Sequence, residues 1–380
     1  MTGDVTAARR AVAVNFLVHG IVWGAWAAQI PLAIERLAVG PALFGFALLF
    51  FTVGAIIAMP LTGALTNHFG SRAVVRLSGP AFALLFLGPA LVPSFTGFLP
   101  LAIAFGLATG SMDVSMNTHG LAIEKRLGRP TLSLFHALFS AGALIGAAAG
   151  GLLVHWLGGV GQAFIISALS LIAVLAVGPG LLPAQEDRGL SGQSFAWPSR
   201  ASLTLGLLCF LALFAEGAIL DWFGIFLRQK FTLDAAGAAS GYALFSLGMA
   251  ASRFAGDSLR QRFGAVRMVR ASAALMACGM ALALLSPWPA LSVALMVFAG
   301  LGIGNIAPVL FAGGGRLEPD APGRGIASVV SLGYAGFLAG PPVIGLLAQA
   351  FGLSAAMAVV VLAALIILAA SGKARAAEAN

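Results

Sequence analysis

Of 380 residues, 60% are hydrophobic and only 9% are charged, too few charges to keep a soluble protein of this size wetted. The net charge of +8 would suit a nucleic-acid partner, but its distribution follows a membrane pattern, so none is expected. Cys209 and Cys278 both stand inside apolar blocks without partner spacing, which points to neither a disulfide framework nor a metal site.

The apolar residues fall into blocks long enough for the roughly 20-residue helix that crosses a bilayer. Spans are predicted near 11–31, 42–66, 73–92, 97–119, 131–154, 160–182, 201–227, 236–256, 268–286, 290–312, 326–348 and 353–371. The expected fold class is therefore all-α integral membrane protein with twelve helices, since backbone groups in hydrocarbon must be satisfied within the segment. Seventeen of the 21 Lys and Arg residues lie on the side carrying the N-terminus. Three, Arg36, Arg228 and Lys230, lie on the other, and Arg253 is inside a span. That bias places both termini in the cytoplasm.

In the first span Asn15, His19, Trp23, Trp26 and Gln29 follow three-to-four spacing and make one stripe. Aromatics interleaved with amide and imidazole suit a sugar-like solute, though the same residues could simply pack. After the second span comes Gly63-Ala64-Leu65-Thr66-Asn67-His68-Phe69-Gly70-Ser71-Arg72, read as a gate loop. In the fourth span Asp113 and Asn117 are four apart and share a helix face, as a proton or substrate carboxylate with an amide neighbour would. The rival role is a carboxylate tied to an arginine at the cytoplasmic end. His136 stands one turn into the fifth span as a candidate solute contact, and equally as a structural histidine.

The polar segment 183–200 reads as a cytoplasmic linker between halves 1–182 and 201–380. Beyond it, Glu216 sits near the middle of span seven, with Asp221 and Trp222 further along. Five residues put Asp221 about 140° round the helix from Glu216, so the two acids need not meet one ligand. An ionisable group at that depth is costly and is a functional candidate. In span eight Arg253 and Asp257 are spaced to form a structural pair beside a second loop, Gly256 to Gly264, which includes Arg262. Asn305 lies mid-span ten, suited to a solute or to a neighbouring helix.

Shifted by 194 residues, the chain repeats itself. Phe69-Gly70 falls on Phe263-Gly264, Arg76 on Arg270, and Gly142, Gly146, Gly151 and Gly158 on Gly336, Gly340, Gly345 and Gly352. Ten of the 24 glycines in residues 1–186 land on glycine, where roughly three would do so by chance. Arg9, Arg10 and the following apolar run look faintly like a cleavable leader, but removing it would delete the counterpart of span seven. Where only one half is polar, packing does not demand the polar group: Asp113 pairs with Ala307, Glu216 with Val22, Asp221 with Ala27, His136 with Val330 and His19 with Leu213.

The two glycine-bracketed loops resemble the signature loop of the major facilitator superfamily. Gly63, Gly70 and Arg72 keep its pattern, while Asn67 replaces the usual acid; in the second copy the matching elements are Asp257, Arg262 and Gly264. Gly336, Gly340, Pro341 and Gly345 resemble its glycine–proline motif. Within that superfamily, Gly-Ser-Met-Asp-Val-Ser-Met-Asn at 110–117, Phe-Ala-Glu-Gly at 214–217, Asp221-Trp222 and Gly340-Pro341-Pro342 are similar to a bacterial branch grouped with the fucose/hexose:proton symporters. The resemblance implies two six-helix bundles rocking about a central site, in a monomer of the bacterial inner membrane.

No phosphate loop, nucleophile elbow or H-E-x-x-H helix is present, so neither ATP hydrolysis nor an enzyme is expected, and no cofactor or metal. The expected function is proton-coupled symport of a small polar solute. Asp113 is the first choice as proton carrier and Glu216 the second. Trp23, Trp26, Asn117, Glu216 and Asn305 are expected to face one central cavity. Proton-coupled export of amphipathic compounds, or a non-transporting sensor, are the alternatives.

Overall fold

The computed structural model describes residues 5–128, 131–183, 200–318 and 322–378, so all but the ends of the expected linker lies outside the described residues. Regular structure among these residues is helical throughout. The first helices are α1 (Val5–Leu37), α2 (Pro41–Phe69), α3 (Ser71–Leu85), the short α4 (Leu87–Leu91), α5 (Phe95–Leu127) and α6 (Leu132–Val177). They are followed by α7 (Arg200–Phe231), α8 (Ala235–Phe263), α9 (Ala265–Leu285), α10 (Pro289–Ile303), α11 (Ile306–Leu317), α12 (Pro322–Phe351) and α13 (Leu353–Ala370). Two compact units result: Met1–Val39 with Ala47–Ser194, and Gly40–Phe46 with Phe195–Asn380.

Apolar side chains gain nothing by leaving lipid for another apolar surface, so close backbone approach through small residues holds membrane helices together. In the first unit α1 and α6 meet on facing glycines. A Cβ added to Gly20 or Gly24 would fall on the carbonyl oxygen of Phe139 or Ala143, and one added to Gly142 or Gly146 on that of Leu17 or Ile21. Between α2 and α5, Gly54 and Gly106 are pressed against the backbone at Ile103 and Phe51. The second unit repeats the device: Gly336 of α12 on Phe210 of α7, Gly248 of α8 on Val297 of α10, and Gly300 of α10 on Phe245 of α8. Gly54 and Gly248, Gly106 and Gly300, and Gly142 and Gly336 are each 194 residues apart.

The breaks between helices recur at the same interval. Gly70 (φ 82°) separates α2 from α3 and Gly264 (φ 78°) separates α8 from α9. Gly158 (φ 70°, ψ 174°) breaks α6 internally, and Gly352 (φ 82°) parts α12 from α13. With ψ near 180° this backbone region belongs almost exclusively to glycine, and a side chain there costs about 1–3 kcal/mol.

Ten helical segments among the described residues are long and apolar enough to cross a membrane. Two differences from the twelve predicted spans have physical causes. The segment 134–180 is one apolar run that Gly158 divides, and the uncharged stretch of α8 over 235–252 is diluted by its Gly, Ser and Tyr residues. The predicted gate loops also need correction: α2 continues to Phe69 and α8 to Phe263, so each loop is a helix end plus one glycine.

Candidate functional site

In the first unit the acid of α5 stands as its spacing implied. Asn117 donates from Nδ2 to the Asp113 carbonyl at 2.9 Å and to Asp113 Oδ1 at 3.2 Å, and both residues are half-buried. Thr62 of α2 donates to Ser111 Oγ at 3.0 Å, one short step along the same helix.

The α1 stripe divides. Trp23 is half-buried, 5.8 Å from the Phe105 ring of α5. Trp26 is 1% exposed, packed on Phe51 at 5.1 Å and Phe98 at 6.5 Å, so it offers no surface to a solute. His19 is 4% exposed with Phe82 and Phe139 edge-on at 4.8 and 5.5 Å, and neither ring nitrogen has a hydrogen-bond partner among the described residues. Asn15 donates to the Ala11 carbonyl at 2.8 Å, while Gln29 donates to Gly159 O and Gln162 Oε1, both at 2.6 Å. His136 is exposed, edge-on to Phe16 at 5.2 Å.

In the second unit Arg253 meets a partner that its spacing did not indicate. Its Nη2 lies 3.9 Å from Glu216 Oε1 of α7, and its Nε donates to the Gly304 carbonyl at 3.3 Å. Arg253 therefore belongs to the interior of α8, ten residues before Phe263, and not to the loop. The side chain of Asp257 lies outside the described residues. Asn305 donates to Ser252 O at 2.6 Å and Ser252 Oγ at 2.8 Å, so its amide serves the junction between α10 and α8. Asp221 is buried, and Trp222 is fully enclosed with Phe44 edge-on at 6.1 Å.

At the expected gate, Asn67 is exposed and Gly63 faces open space, while Arg72 donates to the Pro179 carbonyl at 3.3 Å. Arg262 lies over the Phe263 ring at 5.3 Å. A histidine that the sequence did not single out completes this region of the first unit. His119, fully buried, accepts the Leu182 N–H at Nε2 (3.0 Å) and meets Ser71 Oγ with Nδ1 at 2.6 Å. No spacing rule joins residues 63 positions apart, so only the fold reveals it.

Polytopic helices packed on glycine, with a few polar groups held at membrane depth in each unit, define a multi-pass transporter-type membrane protein. The chain belongs to the major facilitator superfamily, whose family model matches residues 12–312 and 205–373. It is 34% identical over 366 residues to an uncharacterised MFS-type transporter of Yersinia pestis, covering 95% of this chain and 93% of that one. The membrane protein MosC of Rhizobium meliloti is 32% identical, covering 95% and 88%. Among solved structures, the nucleoside transporter NupG aligns with a TM-score of 0.76 at 14% identity, over 97% of this chain and 98% of that one. A bacterial homologue of the human lysosomal transporter Spinster aligns with a TM-score of 0.74 at 14% identity, over 97% and 96%. At these identities the structural likeness concerns the fold.

Proposed function

We propose that this chain is a proton-coupled symporter of the bacterial inner membrane, carrying a small polar, sugar-like organic solute by alternating access. The observation that carries the reading is the half-buried face of α5, where Asp113 and Asn117 are hydrogen-bonded to each other. Trp23, beside Phe105 of the same helix, adds an aromatic surface. A proton-coupled carrier needs a carboxyl at membrane depth that can be loaded from outside and emptied inside. Asp113 is assigned as carrier, and Ala307 at the repeat position indicates that the fold does not need an acid there.

Twelve crossings in duplicate halves, 1–182 and 201–380, are supported by the recurrence of tight glycines and breaks at 194 residues. The second, separate family match at 205–373 supports it too. The distribution of Lys and Arg supports cytoplasmic termini. The grouping with fucose/hexose:proton symporters rests on motif resemblance, and a monomer is the working unit.

The test begins with a melting screen of the purified protein against sugars, amino acids and amphipathic compounds, because any ligand of the folded state stabilises it by mass action. Uptake of the stabilising solute is then measured in vesicles with an imposed pH gradient, beside solute exchange without one. Asp113→Asn should lose gradient-driven accumulation and retain exchange. Normal accumulation by this variant removes Asp113 from the role, and stabilisation by amphipathic compounds alone overturns the polar-solute reading.

A further inference from the structure

Asp221 of α7 is a buried carboxylate that the fold does not require. Its repeat position is Ala27, itself buried, so the same place in the first unit is filled without a charge. Ten residues separate Asp221 from Phe231 at the end of α7, which sets it about 15 Å inside that end. A charge at such depth is tolerated where a partner or water meets it. Glu216, five residues earlier, has Arg253 at 3.9 Å. Asp221 has no comparable compensation. Among the described residues neither a cation nor a hydrogen-bond donor offsets the loss of water around its carboxylate, and 8% of the residue stays exposed.

Hydroxyls come towards it from α8. Gly241 is pressed against the Phe223 ring and Leu227, which closes α8 onto α7 within two residues of Asp221. The next residue, Tyr242, is within electrostatic reach of both Asp221 and Glu216. One helical turn on, Ser246 stands beside Tyr242, is 1% exposed, and completes no hydrogen bond at Oγ among the described residues. Leu48 occupies the repeat position of Tyr242, so the first unit carries neither this acid nor its aromatic hydroxyl. Buried polar groups are ordinarily paired. An unpaired hydroxyl on the helix that meets an uncompensated carboxylate points to a ligand that both can hold.

We propose that Asp221 binds an ammonium group carried by the transported solute, with the Tyr242 and Ser246 hydroxyls accepting its remaining N–H bonds. The inference rests on the reading of the chain as a transporter of a small polar solute, and narrows the substrate class to amino sugars and other hydroxylated primary amines. One carboxylate and two hydroxyls match the three donors of an ammonium. A hard metal ion takes about six oxygens or more, beyond what these side chains supply. Pairing also removes the cost of holding either charge alone at membrane depth.

The test compares matched pairs on the purified full chain: glucose with glucosamine, and galactose with galactosamine, with N-acetylglucosamine as an uncharged amide. The amine should raise the melting temperature where its neutral counterparts do not. Asp221→Asn keeps the shape and removes the charge. It should weaken the apparent affinity for that amine roughly tenfold or more, as the loss of a charged hydrogen bond does. Without ligand this variant should melt no lower than the native chain, since Ala27 fills the equivalent place. Ser246→Ala should weaken the amine by a smaller factor. A second readout uses the native chain alone. Dicyclohexylcarbodiimide modification of Asp221, followed by mass spectrometry, should be slowed by the stabilising amine and not by glucose.

Equal stabilisation by neutral sugars and by amines overturns this inference while leaving the polar-solute reading in place. So does an undiminished response to amine in Asp221→Asn, or carbodiimide labelling of Asp221 that no amine slows. Stabilisation by sodium or potassium chloride that needs Asp221, with no response to amines, makes the occupant a metal cation and overturns it too. Stabilisation by amphipathic compounds alone removes the polar-solute reading along with it. Silence across the whole panel counts against it equally.

Discussion

Gln29 and Gln162 are buried completely and hold each other across the first unit. Gln162 also donates to the Ala25 carbonyl at 3.0 Å, so its amide joins α6 to two points on α1. A buried polar group left without its partner costs about 1–3 kcal/mol. Gln162→Ala should therefore lower the melting temperature of the purified protein clearly, whereas Gln261→Ala, at the exposed end of α8, should leave it unchanged. Equal melting of the two variants would show that the glutamine bridge contributes nothing. Single residues of this kind were the least legible feature of the sequence. Asp113 with Asn117 was readable because its geometry is local, four residues along one helix. The local rule that set Arg253 beside Asp257 gave no sign of Glu216, a partner of Arg253 on the preceding helix. Gln29, read only as one member of the α1 stripe, is tied to a residue 133 positions away.

Helices were legible because hydrocarbon demands long apolar segments, and their ends were less so. The polar ends of α2 and α8 read as loops, but a helix continues into water wherever its last carbonyls find donors, as Gly70 N–H does for Thr66 O at 2.9 Å. Which glycines matter is a property of helix pairs, and the prediction follows from comparing two of them. Gly146→Val sets a branched side chain onto the backbone of Ile21 and should separate α1 from α6, with little folded protein recovered on size-exclusion chromatography. Gly63→Ala meets open space inside α2, and should be neutral or stabilising by up to about 1 kcal/mol from helix propensity alone. A folded Gly146→Val protein of native melting temperature would mean that the α1–α6 contact tolerates separation. Gly158→Ala belongs with the first group, because its φ of 70° with ψ 174° costs a non-glycine residue about 1–3 kcal/mol.

For the molecule as a whole, the 194-residue period predicts that an experimental structure will superpose the backbone of 11–182 on that of 205–376, six helices upon six. An inverted relation between the halves would refute the duplication. The period was visible in the sequence through its glycines, since helix contacts and breaks both select that residue. One exception to the division by halves was not visible. The first turn of α2 belongs with the second unit: Gly45 is pressed on Pro341, Gly345 on Pro41, and Phe44 lies against Trp222. Order of synthesis gives this exception a consequence. The first unit can close its internal hydrogen bonds once Leu182 has been made and its N–H reaches His119. Pro41 leaves the ribosome 300 residues before Pro341, a wait of roughly 15–60 s at about 5–20 residues per second. For that interval the start of α2 stands without its final neighbours, and a substitution at Gly45 should show itself as a late failure of assembly, after the first unit has already become resistant to protease.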